Sequence, residues 1–201
     1  MAMYILLFAI ASYLLGSIPT GLVLAKAFST KDIRREGSGN IGATNVTRLL
    51  GKTFGALTFT GDMLKGFLPV FLGARIFNAA PEAVCIFGLA AFLGHLFPLY
   101  LKFKGGKGVA TAFGIFFYFS PAVMLIEIAL FTGIAATWRC VSLASLAAVA
   151  ALPVLLALLS FPLPILLLSI LFGLLIFFKH KANIQRLLQG TENKIRAGKL
   201  F

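Results

Sequence analysis

Three short polar segments interrupt an otherwise apolar chain, and each carries residue types suited to anions. The first reads Gly37-Ser38-Gly39-Asn40-Ile41-Gly42-Ala43-Thr44-Asn45-Val46-Thr47-Arg48. Its glycines let the backbone approach a ligand. Ser38, Asn40, Thr44 and Asn45 offer hydrogen bonds, and Arg48 offers a forked guanidinium that matches phosphate. The pattern formally contains G-x-G-x-x-G. A dinucleotide fingerprint also needs a preceding strand and a crossover unit, whereas Arg34-Arg35-Glu36 stands before this one. A Rossmann site is therefore rejected, and the plain alternative is a glycine-rich turn that caps a helix.

The second segment, Lys102-Phe103-Lys104-Gly105-Gly106-Lys107-Gly108-Val109-Ala110-Thr111, sets three glycines and three lysines directly before an apolar run. It is not a Walker A motif, because the earlier glycine is missing and Gly108 follows Lys107 where Ser or Thr would stand. ATP is not implied. Successive N–H groups leading into a helix N-terminus nevertheless make an anion cradle, to which Lys107 adds charge. The alternative is a basic anchor with a flexible turn.

The third segment runs from Lys179-His180-Lys181-Ala182-Asn183 to Thr191-Glu192. On a continuous helix His180 and Asn183 would share a face, where they can address a hydroxyl or a phosphate. An amphipathic interfacial helix burying Ile184, Leu187 and Leu188 is the competing account. Asp62 and Lys65 are spaced for an ion pair inside an apolar run, and Glu127 lies in another. Such charges count as functional candidates by default, and a structural pair explains the first two equally well. His95 precedes the glycine loop and is expected to support it.

The elements that position these groups follow from composition. The 201-residue chain is 60% hydrophobic and only 12% charged, so its apolar residues need lipid to bury them. The apolar runs are continuous and do not alternate, which selects helices over a barrel. A span takes about 20 residues to cross a hydrocarbon core of about 30 Å. Suitable stretches are Tyr4 to Ala25, Phe54 to Phe77, Val84 to Leu101, Val109 to Trp138, Val141 to Leu159 and Pro164 to Phe178. Ser120-Pro121 interrupts the fourth.

Lysines and arginines concentrate between Lys26 and Lys52, between Lys102 and Lys107, and after Phe178. If all three basic segments face the cytoplasm, Val109 to Trp138 must be two spans. The expectation is an all-α polytopic integral membrane protein, one domain over 1–201, with seven transmembrane helices, the N-terminus outside and the C-terminus cytoplasmic. The apolar N-terminus lacks a basic leader and is read as a retained helix. The formal charge of +12 reflects this asymmetry, and nucleic acid is not an expected partner. Cys85 and Cys140 fall near opposite faces, with no metal or redox spacing.

In combination and order, G-S-G-N-I-G-A-T-N-x-x-R, G-H-x-x-P followed by F-K-G-G-K-G-V-A-T, and H-x-x-N-I-x-R-L-x-x-G-T-E resemble the bacterial acyl-phosphate:glycerol-3-phosphate acyltransferase family, the PlsY family. Arg139, Ser142 and Ser145 resemble its R-x-x-S-x-x-S stretch. The resemblance runs from the first helix to the tail. It implies acyl transfer from acyl phosphate to glycerol 3-phosphate, giving lysophosphatidic acid and phosphate, the first acylation of bacterial phospholipid synthesis.

It further implies an enzyme of the bacterial inner membrane, with its active site at the cytoplasmic face and membrane lipid around it. No cofactor or metal is expected, and neither acyl-CoA nor acyl carrier protein is the expected direct donor. Ser38, Arg48, Lys107, His180 and Asn183 are the implied catalytic set. Asn40, Thr44, Asn45, Lys104, Gly105, Gly106, Gly108, Thr111, Ser142 and Ser145 join them as the implied substrate-binding set.

Direct transfer is expected, because no cysteine or Asp-His pairing suggests a covalent acyl-enzyme. A transporter of a phosphorylated metabolite would use the same cations. Such proteins place their sites near the bilayer midplane, commonly within repeated halves, and no repeat is evident here.

Overall fold

The computed structural model describes residues 2–195. Arg196 and Lys199, part of the basic tail, lie outside the described residues. Every regular element described is helical, with no strand among the described residues. The chain forms two compact units, one ending at Phe119 and the other beginning at Ser120.

The first unit contains α1 (Ala2–Gly16), α2 (Thr20–Phe28), α3 (Ala43–Leu50), α4 (Lys52–Phe77), α5 (Pro81–Leu96), a 3-10 turn (Leu99–Leu101) and α6 (Val109–Phe119). The expected single span from Tyr4 to Ala25 is a pair of helices, α1 and α2, bent by 42°. Pro19 explains the break, since it lacks an amide hydrogen and drives Ile18 out of helical conformation. The first polar segment itself contains a short helix, α3, entered from Gly42. Thr44, Thr47 and Arg48 on one side of it are exposed, while Asn45 and Val46 are buried. That division is the helical period applied to eight residues.

Helices of this unit approach closely where glycine replaces bulk. A Cβ on Gly66 of α4 would strike the carbonyl of Thr111 on α6, and one on Gly114 of α6 would strike the carbonyl of Met63. Gly16 and Gly94 play the same part between α1 and α5, against Ala91 and Tyr13. Small residues at crossings are how helices pack when lipid supplies no hydrophobic drive between them. A separate apolar cluster of Leu22, Ala25, Ile33, Ile41 and Val46 lies under the first polar segment. Leu49, Leu50, Phe54 and Leu101 pack against it.

The second unit contains α7 (Pro121–Trp138), α8 (Val141–Leu158), α9 (Leu163–Lys179) and α10 (Lys181–Leu188). The expected break at Ser120-Pro121 is present: Ser120 caps α7 by accepting from the Val123 amide at 3.2 Å. Helix α8 packs against both α7 and α9, and α9 and α10 meet at a 65° bend.

By length and composition three helices can cross a membrane, or five if each bent pair makes one span. At 11 residues, α6 rises only about 17 Å, well under the hydrocarbon thickness.

Candidate active site

In the first polar segment the structure separates exposed groups from buried, hydrogen-bonded ones. Ser38, Thr44 and Arg48 are exposed, and Arg48 makes no side-chain hydrogen bond or ion pair among the described residues. Asn45 is different. Expected to bind substrate, it is buried, with 1% of its surface exposed. Its Oδ1 accepts from the Ser38 amide at 2.8 Å, and its Nδ2 donates to the carbonyls of Ile33 and Glu36 at 2.9 and 3.2 Å. Asn45 therefore holds the loop that presents Ser38. Asn40 does similar local work, its Oδ1 accepting from the Gly42 amide at 2.8 Å.

Charge upstream of this loop is partly neutralised within it. Arg34 grips Asp32 through two nitrogens at 2.9 and 2.8 Å. The hydrogen bonds from Arg34 hold the Asp32 carboxyl down at about 2, while the guanidinium of Arg34 is pushed up by the same contact. This pair shapes the turn and leaves Arg48 as the unengaged guanidinium of the motif.

The glycine loop after the 3-10 turn is likewise built around a neighbour. A Cβ on Gly105 would meet the carbonyl of His95, with Leu96 O at 2.7 Å. One on Gly106 would meet the His95 ring, and one on Gly108 the Phe92 ring, with Gly108 also at a φ of 89°. The end of α5 thus fills the space where side chains would go, and that packing is what demands glycine here. The amide of Gly106 donates to the carbonyl of His95 at 3.1 Å. Expected as an anion donor, this amide instead ties the loop to α5, so the cradle reading is corrected at that position. Lys104 is exposed and Lys107 half-buried, while Thr111 is fully buried on α6.

Behind the loop lies a buried charged cluster. Lys65 Nζ is 2.8 Å from Asp62 Oδ1 and donates to the Ile18 carbonyl at 2.7 Å, and His95 Nδ1 lies 3.8 Å from the same Asp62 oxygen. The expected Asp62/Lys65 pair is present, and the expected support of the loop by His95 is seen in its contacts with Gly105 and Gly106.

In the second unit His180 stands at the α9/α10 bend. It is 3% exposed, so the continuous helix expected to align it with Asn183 is replaced by a junction. Its Nδ1 is 2.9 Å from the Ile176 carbonyl. A carbonyl only accepts, so in the neutral ring Nδ1 carries the hydrogen and Nε2 the lone pair. The Asn183 side chain donates to Glu192 Oε1 at 2.9 Å, and Arg186 Nε donates to Oε2 at 2.8 Å. Sequence reading gave Glu192 no role; the signal available was its being the single acid in the tail after Phe178.

Ser142 and Ser145 are buried on α8, with Ser142 Oγ 3.4 Å from Cys140 Sγ. The Ile195 amide reaches the Arg139 carbonyl at 2.7 Å, so the tail is tied to the turn that begins this serine stretch. The expected site residues thus fall into two sets. Ser38 to Thr111 belong to the first unit, and Ser142 to Asn183 to the second.

Residues 6–190 match the family model described as glycerol-3-phosphate acyltransferase. The glycerol-3-phosphate acyltransferase of Geotalea daltonii is 52% identical over 185 residues, covering 92% of this chain and 94% of the relative. That of Aquifex aeolicus is 45% identical over 193 residues, covering 96% and 98%. The fold is also similar to a crystal structure of PlsY (YgiH), an integral membrane glycerol 3-phosphate acyltransferase, in its glycerol 3-phosphate form. There the TM-score is 0.91 at 44% identity, with 96% of each chain covered. The lysophosphatidic acid form of PlsY gives 0.90 at 42% identity, covering 98% of each chain. This chain belongs to the glycerol-3-phosphate acyltransferase family.

Proposed function

We propose that this protein transfers an acyl group from acyl phosphate to glycerol 3-phosphate, forming lysophosphatidic acid and inorganic phosphate. The observation that carries this reading is the match of residues 6–190, spanning both compact units and every polar motif, to the acyltransferase family. The same coverage supports a single catalytic domain over 1–201. Relatives solved in glycerol 3-phosphate and lysophosphatidic acid forms supply one substrate and the lipid product.

The residues suit that chemistry. Acyl phosphate is a mixed anhydride with a good leaving group. The enzyme must therefore orient two anions, stabilise charge on the carbonyl oxygen and receive one hydroxyl proton. The glycerol hydroxyl oxygen forms a bond to the acyl carbon, the acyl C–O(phosphate) bond breaks, and phosphate departs. Ser38, Arg48 and Lys107, with Ser145, His180 and Asn183, are assigned to substrate. Thr44, Lys104 and Ser142 are assigned to substrate binding as well, while Asn40, Asn45, Gly105, Gly106, Gly108 and Thr111 support the segments that carry these residues. The hydroxyl proton goes either to His180 Nε2 or to a phosphate oxygen of the donor.

Seven spans are assigned, with α1/α2, α4, α5, α6, α7, α8 and α9 each crossing once and α6 the shortest. The N-terminus lies outside. The clustering of basic residues at 26–52, 102–107 and beyond 178 supports a cytoplasmic site in a bacterial inner membrane.

The test is donor specificity. Purified protein in lipid should form lysophosphatidic acid from acyl phosphate and glycerol 3-phosphate, and not when acyl-CoA or acyl carrier protein thioester replaces the donor. Equal rates with a thioester would remove the specificity for acyl phosphate from the assignment.

A further inference from the structure

The buried Asp62–Lys65–His95 cluster lies outside the residues assigned to substrate, and its contacts lead from a helix break to the glycine loop. The break between α1 and α2 leaves the Ile18 carbonyl outside regular helix. It accepts from the Thr20 amide at 3.1 Å and from Lys65 Nζ at 2.7 Å. Lys65 also pairs with Asp62, one helical turn away on α4, and Asp62 Oδ1 lies 3.8 Å from His95 Nδ1 on α5. From His95 two contacts reach the loop: its carbonyl takes the Gly106 amide, and its ring closes the space beside the Gly106 Cα. The three side chains are between 3% and 5% exposed. Charges this deep in apolar helices are costly to bury, and an alternative set of apolar residues would fill the same volume.

We propose that Asp62, Lys65 and His95 are positioning residues. They lock the α1/α2 break, α4 and the end of α5 together, so that the loop carrying Lys107 is held at one height and orientation for its phosphate-bearing ligand. The Asp62 carboxylate biases the orientation of the His95 ring across 3.8 Å, and the ring fills the space beside Gly106. Ser17, immediately after α1, adds to the brace: its Oγ donates to the Tyr13 carbonyl and accepts from the Leu99 amide at 3.4 Å. The Tyr13 hydroxyl donates to the Phe97 carbonyl at 2.7 Å. Both contacts hold the chain immediately before the loop. This inference rests on the acyltransferase reading only for its kinetic readout.

The experiment uses the full chain in lipid and two variants. His95→Gln keeps a hydrogen-bonding side chain but loses the ring. Asp62→Asn combined with Lys65→Met removes both charges together, because removing one would leave its partner buried and uncompensated. Each is combined with Lys107→Ala. Amide hydrogen exchange of a peptide covering the loop is measured alongside kinetics.

The expected result in folded protein is faster exchange at the loop and a KM for the phosphorylated substrates raised about tenfold with kcat changed much less. Lys107→Ala should then cost less in either background than in wild type, because residues acting through one element are not additive. Unchanged exchange, unchanged KM and additive losses in folded variants would overturn the positioning role. If the charge-pair variant does not fold, His95→Gln decides alone. Absence of wild-type turnover would remove the acyltransferase reading, and the exchange measurement would still decide this one.

Discussion

The side-chain amide of Asn183 donates to one oxygen of Glu192, and the other oxygen of that carboxylate takes the guanidinium of Arg186. One acid thus organises two tail residues of opposite kind, and its side chain is only 7% exposed. Hydrogen bonds to a charged group contribute about 1.5–3 kcal/mol each. Glu192→Ala should therefore lower thermal stability and cut activity at least tenfold by removing this acceptor from Asn183 and Arg186, as read by melting and initial rates in the same lipid. Wild-type stability together with wild-type activity would show that the tail contact carries no weight.

Glycine substitutions should rank by what occupies the space beside them. Gly105→Ala meets backbone carbonyls of α5, which cannot swing away, whereas Gly106→Ala meets the His95 ring, which can shift. Overpacking of this kind costs about 1–3 kcal/mol. Gly190→Ala has open space and is penalised only by its φ of 70°, about 1–2 kcal/mol. Thermal melts of the three variants should place Gly105→Ala as the least stable and Gly190→Ala as the mildest. The reverse order would contradict the packing account of the loop.

Arg48→Lys should behave as a loss. The guanidinium offers a planar fork to a phosphate, whereas an ammonium is a point charge on a shorter reach. Losing one bond to a charged group, about 1.5–3 kcal/mol, corresponds to roughly 10- to 100-fold in kcat/KM. Because Arg48 is exposed, melting should stay near wild type. A folded Arg48→Lys enzyme with unchanged kinetics would move Arg48 out of the substrate site.

His180→Gln separates base from binder. If Nε2 takes the hydroxyl proton, kcat should fall about 100-fold or more. If a donor phosphate oxygen takes it, kcat should hold while KM rises. The His180 backbone amide already bonds Ile176 and Phe177 at 2.9 and 3.0 Å, so the bend itself should survive the substitution.

The order of polar motifs, the helical class and the break at Ser120-Pro121 were legible in the sequence because each has a local cause. Pro121 is suited to begin a helix, and Ser120 before it supplies the cap, while an apolar run this long needs its backbone hydrogen bonds made within the segment in lipid. The type of Asn45 suits a ligand and a loop brace equally. Only the third dimension shows Ile33, Glu36 and Ser38 around it. Gly106 read as part of an anion cradle for the same reason: glycine marks close approach without saying to what, and at this amide the partner is the His95 carbonyl at the end of α5. The short α3 is weakly marked in the sequence, since its Thr and Asn residues carry little intrinsic helix preference. It is held by burial of Val46, Leu49 and Leu50 against the cluster below.

The most direct test of the account is product stoichiometry with purified protein in lipid, supplied with acyl phosphate and glycerol 3-phosphate, beside a Lys107→Ala control shown to be folded. The account predicts one lysophosphatidic acid for each phosphate released, with both products lost together in the control. Phosphate release without lysophosphatidic acid, or no turnover by well-folded wild-type protein, would contradict it.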